Sequence, residues 1–342
     1  MSARLDVDLA AFAANLERIR DTVAPARHML VVKDDAYGHG LPEMVTRAVA
    51  EKVEWFGTFD VATAIRVRQH TGSASRILAW TVYDDADVDA AIDAGIDLGV
   101  GDADVLERVI ARAEDLRNAA RVHLKIDTGL HRNGFRPEEW DGAVLRAQDA
   151  AARGILQIEG VWSHIAEASD ADDDVAHAAF LRAAHALGDL PVLRHLAASA
   201  ASFARPEFRF DLARIGAFAY GIRPEGGPSD AELGITPIAT LVGTVTAVTG
   251  AHVLLDIGSL DGLDSRLAGR LMVGTPAGPR ELQEVGPMSA QVASWNGAAI
   301  GDEVALFGGR APSSATDVAE LLGTIGEQVV LRVSPRLPRR YR

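Results

Sequence analysis

The 342-residue chain contains no cysteine. That excludes a disulfide framework, a thiol nucleophile and any Cys-ligated metal centre. Positive charge is also short: 48 acidic residues face 34 basic ones, a formal net charge of -14. Nucleic acid is therefore not an expected partner, because backbone phosphates need basic surface, although a few local cations can still hold a small anion. No apolar run reaches bilayer-spanning length, so no membrane role is expected. The first residues, MSARLDVDLAAFAANLERIR, carry no apolar signal core and no cleavage-site pattern. The expectation is a cytoplasmic protein. The ten histidines show no HExxH or comparable spacing, and no metal site is expected. Tyrosine is scarce: the four are Tyr37, Tyr83, Tyr220 and Tyr341, so residues 221–340 contain no phenol.

What is present reads as an ordinary globular chain, 48% hydrophobic and 24% charged. Its length accommodates one large domain of about 200–250 residues and a smaller one. Asp8 is placed to cap a helix whose apolar residues Leu9, Phe12, Leu16 and Ile19 recur at helical spacing. Strand-like runs then follow in series: HMLVVK, WFGTF, RILAWT, DLGVG, RVHLKI, IEGVWSH, VLRHLA and RFDLARIG. Helical patterns such as PEMVTRAVAEKV, DVLERVIARAEDL and DVAHAAFLRAAHAL lie between them. Eight strands alternating with helices predict an α/β fold, a (β/α)8 TIM-type barrel over residues 1–225. After GIRPEGGPSD the texture changes to Val, Thr and Gly runs with frequent turns, as in TLVGTVTAVTG and DEVALFG. That spacing predicts a smaller, mainly antiparallel β-domain over 226–342, with ATDVAELLGTIG as a helix and QVVLRVS as a last strand.

In such barrels functional residues sit where strands end and βα loops begin. Lys33 ends the first strand candidate within VVKDDAYGHG, Arg132 follows the fifth, His164 ends the sixth, Ser199 follows the seventh and Arg214 lies late in the eighth. Each could be an ordinary polar loop residue; five converging on one mouth suit an anionic, aldehyde-bearing cofactor. A lysine amine can form a Schiff base with pyridoxal phosphate, and Tyr37, Ser199 and the backbone near Gly216 suit its phosphate. An aldolase-type lysine fits the same spacing. The acidic run DADDD at 170–174 reads as a solvated loop capping the next helix rather than a cation site.

These motifs resemble the alanine racemases. VVKDDAYGHG is similar to the family's cofactor-lysine motif, and KIDTGLHRNGF, GVWSHIAEAS, HLAASAA, RIGAFAYG, GDEVALFG and VSPRLPRRY resemble successive family blocks in order. The resemblance implies a pyridoxal 5'-phosphate enzyme that interconverts L- and D-amino acids. By matching position, Lys33 would be both cofactor anchor and base on one face of the substrate. Tyr37, Ser199, Gly216 and Ala217 would hold the phosphate. Arg132 would meet the cofactor's phenolic oxygen and the substrate carboxylate. Arg214 would face the ring nitrogen, with His164 as its neighbour, and Lys125 matches a lysine that is carbamylated in some members. The family also implies a head-to-tail homodimer in which the partner's β-domain covers each barrel mouth.

Three blocks depart from the pattern. The family places a catalytic tyrosine in a Gly-Tyr-x-Asp-Gly setting; here DIGSLDG puts Ser259 at that position. The substrate-pocket block reads GPMSAQ, keeping Met288 between Pro287 and Ser289, and Pro335 stands where the terminal block often has a phosphate-touching tyrosine. A serine hydroxyl is shorter and far less acidic than a phenol. Three readings are open from the residues: a racemase that recruits another proton path, through water at Ser259 or His252; a one-base lyase, decarboxylase or aldolase using Lys33; and a non-catalytic cofactor-binding relative.

Overall fold

A computed structural model describes residues 2–167 and 169–342; Ala168, inside the motif GVWSHIAEAS, lies outside the described residues. The chain opens with strand β1 (Arg4–Val7) and helix Leu9–Val23. Asp8 caps that helix as its position suggests, accepting from the Ala10 and Ala11 N–H groups at 2.9 and 2.8 Å. Phe12, Leu16 and Ile19 are buried, the stripe anticipated from their spacing.

Two compact units follow from the contacts: residues 19–33 with 45–216, and residues 1–18, 34–44 and 217–342. By contacts the division is discontinuous along the chain. The reason is pairing: β1 lies in the sheet of the second unit, a tertiary partnership that local texture does not reveal.

The first unit carries β2 (Arg27–Val31), β3 (Trp55–Asp60), β4 (Arg76–Thr81), β5 (Asp97–Val100), β6 (Ala120–Lys125), β7 (Leu156–Trp162), β8 (Leu193–His195) and β9 (Leu212–Ile215). Every neighbouring pair is parallel, in the order β8-β7-β6-β5-β4-β3-β2-β9. The two end strands meet through hydrogen bonds from Asp211 N–H to Arg194 O (3.0 Å) and from Arg214 N–H to Ala197 O (3.2 Å). This is a TIM-type barrel. Three of its connecting helices start on an aspartate cap: Asp60, Asp84 and Asp102 each accept from an N–H of the helix they precede. Met29, Trp55, Leu78 and Leu212 fill one layer of the interior. DADDD is not a loop: Asp170–His185 is helical from its first acidic residue, capped by Ser169, and the acids favourably occupy the positive end of the helix dipole.

The second unit is built on β1 with β10 (Ala239–Val248), β11 (His252–Leu255), β12 (Met272–Thr275), β13 (Gly278–Val285), β14 (Ala290–Ala293), β15 (Glu303–Gly308) and β16 (Arg339–Tyr341). Strand order is β11-β14-β13-β12-β15-β10-β1-β16, and β10 also pairs with β11. All pairings are antiparallel except β1 with β16. The expected last strand QVVLRVS is instead helix Gly326–Leu331, with Val329 and Val330 buried. Burying both valines on one helical face overrides their strand propensity, and the edge of β1 is filled by Arg339–Tyr341.

Candidate active site

Strand β2 delivers Lys33 two residues past its end, with Val32 N–H still donating to Gly57 O at 2.9 Å. The chain then makes a left-handed turn: Asp34, Asp35, Ala36 and Tyr37 have φ of 52°, 55°, 54° and 56°. Such a run is costly for residues with a Cβ and persists only where surroundings fix it. Here Gly38 N–H donates to Asp34 O (2.8 Å) and Leu41 N–H to the Asp35 carboxylate (3.0 Å). Tyr37 is buried with its ring 4.8 Å from that of Tyr220. His39 stacks on Tyr220 at 5.0 Å and places Nδ1 2.9 Å from Ala36 O, a packing role.

Lys125 ends β6, buried, with its amine 4.6 Å from the centre of the Trp162 ring. Burial, reinforced by the charges of Arg214 and Arg132, pushes the Lys125 amine down to about 8. The loop after it carries Arg132, exposed. Asp127 organises that loop, accepting from Gly129 and His131 N–H at 3.0 Å each, while the His131 ring approaches at 2.9 Å. Burial alone would raise the Asp127 carboxyl; these N–H donors and the His131 ring outweigh it and hold it below its ordinary range. Phe135 N–H donates to Lys125 O (2.8 Å) and Asp127 N–H to Phe135 O (2.9 Å), closing the loop at its base. Gly134, at φ +130°, permits the closure: a Cβ there would lie 2.6 Å from Asp127 N.

Arg214 is buried and its donors are spread over the barrel mouth. It donates to Ser163 O at 2.7 Å, Leu196 O at 2.9 Å and His195 O at 3.0 Å. It also donates to His195 Nδ1 at 3.1 Å and His164 Nδ1 at 3.2 Å. Burial first, then the Arg132 charge, push the guanidinium down to about 9, so it stays protonated at neutral pH. His164, at the start of the loop after β7, is held neutral by burial and by the charges of Arg214, Arg132, Lys125 and Lys33. Gly216 N–H donates to Ser199 Oγ at 3.3 Å, and Ala217 begins the next turn. Lys33, Lys125, Arg132, His164, Ser199, Arg214 and Gly216 thus belong to one compact unit, and Tyr37, Ala217, Ser259 and Met288 to the other.

In that second unit, Ser259 and Met288 stand on adjoining loops. Ser259 N–H donates to Gly286 O (2.9 Å) and Leu260 N–H to Pro287 O (3.0 Å). The ridge is exposed and apolar at its tip, with Leu260 71% and Met288 74% accessible. Sequence reasoning passed over Trp162, which lies under both Lys125 and Arg214, and over Glu167, whose carboxylate accepts from Ala201 N–H at 3.0 Å. Burial pushes Glu167 up, against that N–H. Asp127 had a visible signal, the Asp-Thr-Gly turn inside KIDTGLHRNGF; Glu167 had none.

Cations that push one another down in a buried setting have the chemistry of an anion site. A phosphate-bearing aldehyde fits by type: Arg214, Ser199 and Gly216 would supply donors for its polar groups, and Lys33 is a primary amine.

Known proteins are similar to this chain in sequence and in shape. The sequence profile described as "Alanine racemase, N-terminal domain" matches residues 7–224. The alanine racemase of Thermobifida fusca is 35% identical over 367 residues, covering 99% of this chain and 97% of that protein. That of Beutenbergia cavernae is 33% identical, covering 98% and 97%. Among solved structures, the alanine racemase from D-cycloserine producing Streptomyces lavendulae superposes with a TM-score of 0.92 at 30% identity, covering 100% of this chain and 97% of that one. The enzyme from Streptomyces coelicolor A3(2) gives 0.93 at 30% identity, with 99% and 98% covered.

Proposed function

The chain belongs to the alanine racemase family and is an isomerase; on that premise we propose that it racemises a small amino acid, alanine foremost, with pyridoxal 5'-phosphate held by Lys33. The observation that carries this is the cation cluster at the barrel's strand ends, where Lys33, Lys125, Arg132 and Arg214 all act on His164. Bound pyridoxal phosphate would supply the electron sink that acidifies the substrate Cα–H.

Residues 1–225 carry the cofactor in this reading, and 226–342 complete the site from a partner subunit. Lys33 Nζ takes and returns the proton on one face of Cα. Arg132, on the loop pinned by Asp127, orients the substrate carboxylate, and Lys125 supports it. Tyr37, Ser199 and the Gly216 and Ala217 N–H groups hold the phosphate. Arg214 keeps its proton and donates toward the ring nitrogen without protonating it, which favours proton exchange at Cα over transamination. His164, neutral, buttresses Arg214. The opposite face falls to Ser259 of the partner subunit, acting through an ordered water, with Met288 beside it shaping the pocket. A head-to-tail homodimer covers the exposed Leu260 and Met288, and the enzyme works in the cytoplasm.

The cofactor should give a visible absorption band that Lys33→Ala abolishes; an unchanged spectrum would refute the anchor. In heavy water, L-alanine should gain α-deuterium with inversion. Exchange with retention would instead favour one-faced chemistry by Lys33. A monomer in sedimentation at working concentration would refute the dimer.

A further inference from the structure

The proton transfers above leave unused a file of polar side chains running through the barrel interior. Arg214 Nη1 lies 3.1 Å from His195 Nδ1, and His195 Nε2 lies 2.9 Å from His123 Nδ1. His123 Nε2 in turn lies 3.3 Å from Asp97 Oδ2. Asp97, His123 and His195 are wholly inaccessible to solvent, and Arg214 nearly so. Arg76 Nη2 and Arg121 Nε close on Asp97 at 2.5 and 2.6 Å. Asp97 opens β5 at the end of the barrel remote from the strand-end loops, while Arg214 stands at the mouth. The file therefore links the two faces.

Its direction is dictated by what each group can donate. A guanidinium has only donors, so His195 Nδ1 must accept. Neutral His195 then carries its proton on Nε2 and gives it to His123 Nδ1. His123 accordingly carries its own proton on Nε2, aimed at the Asp97 carboxylate. Burial, then the neighbouring His123 and Arg214, keep His195 neutral, as this polarity requires. Burial alone would raise Asp97, but His123, Arg76 and Arg121 outweigh it and hold it down at about 2. With Arg214 at about 9, the proton stays on the guanidinium and the file orients rather than conducts.

The rings are also clamped. Trp162 stacks on His195 at 5.6 Å and 7°, and its Nε1–H donates to His123 O at 3.2 Å. Trp55 meets the His123 ring edge-on at 5.8 Å. Gly160 is bare where any Cβ would collide with the His123 ring.

We infer that His123 and Asp97 are positioning residues: as the acceptors down the file they reinforce the His195 tautomer that Arg214 demands and, through it, hold the orientation in which Arg214 meets the cofactor. The inference rests on the reading that Arg214 faces the cofactor ring. The test is two-bond 1H–15N spectroscopy of protein labelled in its histidine rings, with and without pyridoxal phosphate, between pH 6 and 9. His195 should show a protonated Nε2 and a bare Nδ1 throughout, in both forms, and the neutral ring of His123 the same tautomer. His123→Phe should release His195 into a mixture that includes the Nδ1–H tautomer. Asp97→Asn, nearly isosteric and the safer fold, should do the same to His123. Both variants should lower kcat roughly tenfold or more with little change in KM, as loss of an orienting partner does. An Nδ1–H tautomer of His195 in the parent protein overturns the inference. So does a His195 that stays purely Nε2–H in both variants, or parent-like kcat once its tautomer has shifted. The reading beneath it is checked separately: Arg214→Met should weaken pyridoxal phosphate binding. If it does not, that reading fails, whatever the tautomers show.

Discussion

Lys125→Met is a perturbation whose sign follows from burial. The amine falls from 10.5 to about 8 when the chain folds, first through burial and then through Arg214 and Arg132. Below pH 8 the folded and unfolded chains both carry the charge, so the penalty of burying it is fully present. Between 8 and 10.5 the unfolded chain still binds a proton that the folded one has released, and stability rises with pH. Above 10.5 both are neutral and the penalty is gone. The gap of about 2.5 pH units corresponds to roughly 3 kcal/mol. Against this stands the cation–π contact with Trp162, about 0.5–2 kcal/mol. Methionine keeps most of the aliphatic volume, so Lys125→Met should stabilise the cofactor-free protein by about 1–3 kcal/mol at pH 6.5. At pH 10.5 the gain should vanish. Urea denaturation in carbon-dioxide-free buffer measures both; a variant less stable than its parent at pH 6.5, or an equal gain at both pH values, refutes the reasoning. The same depressed pKa leaves about a quarter of the amines neutral at pH 7.5, the form that carbon dioxide attacks. 13C-bicarbonate should therefore give the parent a carbamate resonance that Lys125→Met lacks.

Two further predictions concern the altered half of the site and the loop opposite it. Ser259→Tyr should raise kcat for alanine racemisation by about 10²-fold, since a positioned general acid or base typically contributes 10²–10⁴-fold; no gain with the cofactor still bound would show that the opposite-face proton does not pass through this position. Gly134→Ala places a Cβ 2.6 Å from Asp127 N at a φ of +130°. It should cost about 1–3 kcal/mol of stability and raise the KM for the amino acid more than it lowers kcat, because Arg132 is displaced. Thermal melting and steady-state kinetics check both, and an unchanged KM would separate Arg132 from the substrate.

The eight barrel strands were legible in the sequence because they are short runs of mostly apolar residues alternating with helices, three of which announce their starts at Asp60, Asp84 and Asp102. Strand ends pointed to Lys33, Arg132, His164, Ser199 and Arg214, since a parallel barrel sends every strand end of one sense to one face; Lys125 came only with the family resemblance. The absence of tyrosine from residues 221–340 likewise needed no coordinates. Other features depend on partners far along the chain. β1 joins β10 and β16 across more than two hundred residues, which no local pattern encodes. QVVLRVS became helix because tertiary burial of Val329 and Val330 outranked their preference for strand. His123, His195 and Asp97 look in sequence like unrelated polar residues on three strands. Only the closing of the barrel stacks them in one interior, where burial away from solvent obliges each donor to find an acceptor and so gives the file its direction.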